Sequence, residues 1–101
     1  MELTVKERIV LQGLLPKEAN FLTLRLVRKA REELSFNEEE HKELNFVQND
    51  NQIAWNFNAK VVKDINLGEI VTGLIVKELK KLDEQNKFTE DHFSLYEKFI
   101  N

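Results

Sequence analysis

Glu38 and His41, within the stretch FNEEEHKELNF at 36–46, have the Glu-x-x-His spacing that places a carboxylate and an imidazole one turn apart on the same side of a helix. Carboxylate-bridged two-metal sites in helical bundles use two such motifs and a glutamate from each of two further helices. Only one copy is present. The second histidine, His92, has Thr89 three residues before it, which is not a comparable ligand. The beginning of a helix explains the same residues without a metal. Asn37 as cap and Glu40 three residues on form a capping box, Glu38 and Glu39 lie where the helix dipole favours acids, and either can pair with Lys42. No metal site is expected.

Other chemistry is harder to assemble. The chain has no cysteine, its few serines and threonines fall at helix caps or helix surfaces, and no Ser-His-acid set can be picked out. Two histidines and eighteen carboxylates permit general acid–base work, as they do in most proteins. Gly13, Gly68 and Gly73 are too scattered to build a phosphate-binding loop or a dinucleotide fingerprint, so no cofactor is expected. The reading is of a protein that is not an enzyme.

Composition narrows the remaining classes. At 101 residues, 42% hydrophobic and 33% charged, the chain is long enough to bury a core of its own, and residues 1–101 read as one globular domain. Its apolar runs are too short to span a bilayer, and MELTVKERIV lacks the basic start and apolar stretch of a secretion signal. With no cysteine, a reducing cytoplasm is the expected location. A net charge of -3 gives no overall electrostatic footprint for nucleic acid, so any basic patch must be local.

The elements that would carry a site are written mainly in capping residues. Thr4 with Glu7, Asn37 with Glu40 and Asn66 with Glu69 each read as a capping box, opening a first helix to about Leu14, a short third helix and a fourth helix to about Glu84. The second helix follows Pro16, takes Asn20 as its cap and runs to Leu34; Thr89 opens the fifth, to about Phe99. Hydrophobic staples are expected from Ile65 to Ile70 and from Phe88 to Phe93. Between Phe46 and Asn66 the period shifts to two, which predicts a hairpin or three-stranded meander from about 46–48, 52–57 and 60–65, with Trp55 anchoring it between layers. FNEEEHKELNF and FTEDHFSLYEKF also echo one another, each following a long amphipathic helix.

On the second helix, Leu22, Leu26, Val27, Ala30 and Leu34 fall in one apolar sector, while Phe21 and Leu24 lie outside it beside Arg28 and Arg31. Apolar side chains ringed by arginine are the composition of protein interfaces. Phe21, Leu24, Arg25, Arg28 and Arg31 are therefore the candidate partner-binding residues. The rival is nucleic acid, because three helices followed by a hairpin outline a winged helix and RLVRKAR is the most basic stretch. Against it, the third helix, which would enter the major groove, reads EEEHKEL and would repel phosphate.

The segment LLPKEANFLTLRLVRKAREELSFNEEE, with the closing KFTEDHFSLYEKF, resembles small uncharacterised proteins encoded by bacteriophages and prophages. The similarity covers most of the chain but rests on structural rather than catalytic motifs. It implies no reaction and assigns no functional residue. It implies a viral or mobile-element setting, where short acidic proteins act by binding a host or virion protein in the host cell cytoplasm. The combined expectation is an α+β domain of about five helices, three before a β-meander and two after, around a two- or three-stranded antiparallel sheet. Its expected role is non-catalytic protein binding, with a homodimer among its forms; the rival remains a winged-helix-like nucleic-acid binder using the second helix.

Overall fold

The computed structural model describes residues 1–56 and 58–100. The elements are β1 (Glu2–Thr4), α1 (Val5–Leu14), α2 (Phe21–Leu34), α3 (Glu38–Leu44), β2 (Val47–Asn49), β3 (Gln52–Ala54), β4 (Val62–Asp64), α4 (Gly68–Glu84) and α5 (Glu90–Ile100). This is the expected α+β arrangement of five helices, three before the hairpin and two after. The expected meander, however, is split into two ribbons. β2 pairs antiparallel with β3, whereas β4 leaves the hairpin and pairs with β1, Leu3 opposite Lys63. The part of the predicted second strand that falls on Phe57 lies outside the described residues.

Local chemistry accounts for most helix ends. Thr4 and Glu7 close a capping box on α1, as do Asn37 and Glu40 on α3, and Asn20 Oδ1 accepts from the Thr23 N–H at 2.9 Å to start α2. The expected box at Asn66 does not form. Asn66 Oδ1 instead accepts from the Gly68 N–H at 3.1 Å, Gly68 takes φ +81°, and the chain enters α4 through Leu67 with no side-chain cap. Ile65 is buried while Ile70 is exposed, so that staple is absent too. Asn45 and Asn86, both at positive φ, stop α3 and follow α4; asparagine tolerates this left-handed geometry at modest cost.

α1 is the central helix, packed against β1, α2, α4 and α5. Leu11 and Leu15 meet Val27, Ala30 and Leu34 of α2, Val71, Ile75 and Leu79 of α4, and Leu95 of α5 in one continuous core, to which β1 and the residue after β4 add Leu3 and Ile65. In α5 the buried residue is Leu95. Tyr96, Phe99 and Ile100 pack on the core edge, but Phe93 points outward and is 55% exposed, so Phe88 stacks edge-on with Tyr96 rather than stapling to it. The hairpin stands apart from this core. Trp55, just past β3, meets Phe46, which meets Phe36; an aromatic satellite, not the layer interface, is what Trp55 anchors. Among the described residues no helix is long and apolar enough to cross a membrane.

Two adjacent residues of α1 tie the two echoed segments to it. Arg8, fully buried, gives Nη1 to Glu40 Oε2 at 2.6 Å and Nη2 to Glu40 Oε1 at 3.3 Å. Its Nε donates to the Leu34 carbonyl at 3.2 Å, Nη2 also donates to the Ser35 carbonyl, and the Phe36 ring lies 4.0 Å from its guanidinium carbon. It thus caps the C-terminus of α2 and pins the N-terminus of α3 together. Glu7, also buried, receives Lys98 Nζ at 2.6 Å and Ser94 Oγ at 2.7 Å from α5 while still accepting from the Thr4 N–H.

Candidate functional site

The chain between α1 and α2 is held by Leu15, which is buried, and turned by Pro16, which cannot continue the helix. From Asn20 the second helix departs with its buried sector on Val27, Ala30 and Leu34. That sector is turned relative to the sequence expectation. Leu24 and Arg31 come half inward, whereas Leu22, expected in the core stripe, is 69% exposed, and Leu26 is exposed as well. The side chain that turns α2 this way is Arg31: its Nη1 donates to the Gln12 carbonyl at 3.0 Å and its Nη2 to the Leu15 carbonyl at 3.4 Å, satisfying orphan acceptors at the end of α1. Arg31 is thus a structural tie as well as a groove wall.

Phe21, Leu24, Arg25, Arg28 and Arg31 come together along one groove of about 610 Å³, which Pro16, Lys17 and Val27 complete. Phe21 is 78% exposed at its lip. Sequence reasoning missed Pro16, Lys17 and Val27. Pro16 and Lys17 could have been found from the helix-ending proline, which forces the residues beside it against the start of the next helix. Val27 was assigned wholly to the core, and in fact separates core from groove floor. Arg25, Arg28 and Lys17 are exposed, and among the described residues none takes part in an ion pair. A second cleft shares Pro16 and Lys17 and continues the positive strip to Lys77 and Lys81, with Glu18 and Glu78 as the acids along it.

The perturbed carboxylates lie elsewhere and are occupied structurally. Burial pushes the Glu7 carboxyl up, but the hydrogen bonds from Lys98, the Thr4 N–H and Ser94 more than offset this, and it sits below its ordinary value of 4.5. The Arg8 hydrogen bonds hold Glu40 below 4.5 against a smaller opposing effect of burial. Lys6, 2.8 Å away, lowers Asp91 at the surface. The Glu7 and Glu40 shifts come from partners that tie helices together, the Asp91 shift comes from a solvent-exposed pair, and none of these groups lines the α2 groove.

Glu38 is exposed in the first turn of α3, while the His41 ring packs edge-on against Phe36 and Phe46. The cleft beside His41 is walled by Ile9, Phe36, Phe46, Val47, Gln48 and Ile53, with no second titratable group. Among the described residues no group of three His, Cys, Asp or Glu side chains gathers in metal-binding fashion. His92 sits at the third position of α5, where Nδ1 accepts from the Thr89 N–H at 3.1 Å; it does for α5 what Glu7 and Glu40 do for α1 and α3. Two features bear on the winged-helix outline: among the described residues the β2–β3 hairpin has no third strand, and α3 turns Glu38, Glu39 and Glu43 to solvent, as its sequence led one to expect. Compared with known proteins, the chain matches no family model, no curated protein and no solved structure at a significant level.

Proposed function

We propose that this chain is a non-catalytic protein-binding module that docks a partner protein at the α2 groove. The observation that carries the reading is Phe21, a large aromatic side chain left 78% exposed at the lip of a groove floored by Leu24 and Val27. Covering such a side chain is worth about 2 kcal/mol, and aromatic anchors beside arginine are where binding energy concentrates at interfaces. The resemblance to phage and prophage proteins adds a setting, with the chain acting on a host or virion protein in the host cytoplasm. Both imidazoles are engaged in local packing or capping, which supports a role without catalysis.

The test compares wild type with Phe21→Ser and Arg28→Glu as immobilised bait in host lysate. Both positions are exposed, so circular dichroism should show unchanged folding. A protein retained by wild type and lost from both variants supports the reading; identical retention profiles overturn it. The cations of α2 sustain the nucleic-acid rival, which predicts retention of duplex DNA or RNA at low salt, lost with Arg28→Glu and with added salt. Light scattering across concentration reads self-association through the same face.

A further inference from the structure

We infer that the α2 groove receives an acidic segment of its partner, in which a bulky apolar side chain is flanked by aspartate or glutamate. This rests on the docking reading above and adds the chemistry of the occupant. The argument is charge complementarity. The chain as a whole is acidic, with net charge -3, yet Lys17, Arg25 and Arg28 crowd one groove without an acid among its walls. All three are exposed and none is neutralised by an ion pair among the described residues, so their charge is open to a ligand, whereas buried Arg8 is matched to Glu40. Arg31 keeps its charge at the groove wall while two of its five N–H donors hold backbone carbonyls, so it adds to the positive field there.

The walls also say which anion fits. Pro16, Phe21, Leu24 and Val27 give a predominantly apolar floor, and a phosphate backbone has nothing to place against it; a peptide with one Phe, Leu or Met between acids does. Glu18 and Glu78 interrupt the cationic strip along the neighbouring cleft, and Glu32 follows Arg28 by one turn of α2. That suits a segment of a few residues better than a continuous polyanion. Along the neighbouring cleft, Lys77 and Lys81 can meet further acids of the same segment.

The experiment is a selection from a displayed library of random 12-residue peptides on wild-type protein, with counter-selection on a Phe21→Ser/Arg28→Glu double variant of verified fold. Groove-dependent binders are expected to share acids on both sides of an aromatic or aliphatic residue. Replacing those acids by their amides should weaken binding about tenfold, and raising salt should do the same in part. Groove-dependent binders that are neutral or basic would overturn the acidic assignment and leave the docking reading standing. Recovery of no groove-dependent binder would sink both. Duplex or single-stranded 20-mers that bind wild type and outcompete the selected peptides would replace the peptide by nucleic acid.

Discussion

Replacing Arg8 by methionine is expected to be the most damaging single change to the fold that leaves volume nearly constant. The side chain is fully buried, and its guanidinium serves Glu40, the Leu34 carbonyl and the Ser35 carbonyl while lying on Phe36. Methionine fills much of the space but strands the Glu40 carboxylate and the Ser35 carbonyl at the junction of α2 and α3, and leaves the Leu34 carbonyl only the 3.5 Å bond from Gln12 Nε2. Removing one partner of a buried pair costs about 3–5 kcal/mol, a large share of the roughly 5–15 kcal/mol a domain has. With a urea slope of about 1.5 kcal/mol per molar, the unfolding midpoint followed by circular dichroism should fall by roughly 2–3 M. Glu40→Gln keeps one oxygen for the Asn37 N–H but turns the other into a donor facing Arg8 Nη1 and removes the counter-charge of a buried guanidinium, so it should be destabilising as well. The double variant leaves no stranded charge, and its loss should be smaller than the sum of the two by more than about 1 kcal/mol. Arg28→Met, the same substitution at an exposed position, should stay within about 0.5 kcal/mol of wild type. An Arg8→Met midpoint indistinguishable from that control, or strict additivity in the cycle, would refute the assignment of Arg8 as the tie between the helices.

Two further outcomes follow from the same geometry. Because Glu7 and Glu40 are held below their ordinary 4.5, the unfolded chain takes up protons at a higher pH than the native one; their contribution is complete above about 4.5 and is lost as pH falls through the lowered native values. Urea midpoints measured from pH 7 down to 3 should therefore drop below 4.5, and more gently in Glu40→Gln than in wild type; parallel curves would contradict the pairing. The glycines of α4 should respond in opposite directions, since an added methyl meets nothing within 4 Å at either. Gly73→Ala, in the helix interior, should raise stability by roughly 0.5–1 kcal/mol, while Gly68→Ala, forced to φ +81°, should lower it by about 1 kcal/mol, both readable as shifts of the thermal midpoint.

What could be read from sequence was whatever is decided within a few residues. Thr4, Asn20 and Asn37 announce their helices because the cap bonds the backbone three residues on, and that bond forms wherever the helix is placed. Asn66 has the same spelling but is followed by Leu67 and Gly68; the glycine's positive φ lets Asn66 bond two residues on, and a different entry into α4 results. The partner of β4 was not legible, because Lys63 meets Leu3 across most of the chain and a three-residue strand carries too little pattern to choose between neighbours. Nor was the rotation of α2: periodicity located an apolar sector, while the bonds of Arg31 to the end of α1 decided which flank faced inward. The candidate groove was partly visible, with Phe21, Leu24, Arg25, Arg28 and Arg31 flagged as candidate partner-binding residues. Pro16 and Lys17 became part of it only once the turn between two helices had a shape. Glu7 was read only as half of a capping box and Arg8 was passed over, because charged neighbours on a helix are ordinarily solvated; these two are buried because α1 is enclosed on several sides at once.

The central position of α1 bears on how the molecule is made. Ser94 follows Glu7 by 87 residues and Lys98 by 91, a delay of several seconds at a ribosome adding about 5–20 residues per second. For that interval a nascent chain carries the side of α1 that faces α5 uncovered, together with a carboxylate whose ammonium partner has not been translated. Slow codons or a bound chaperone in that interval would act on the faces of α1 and α4 that the arrival of α5 covers.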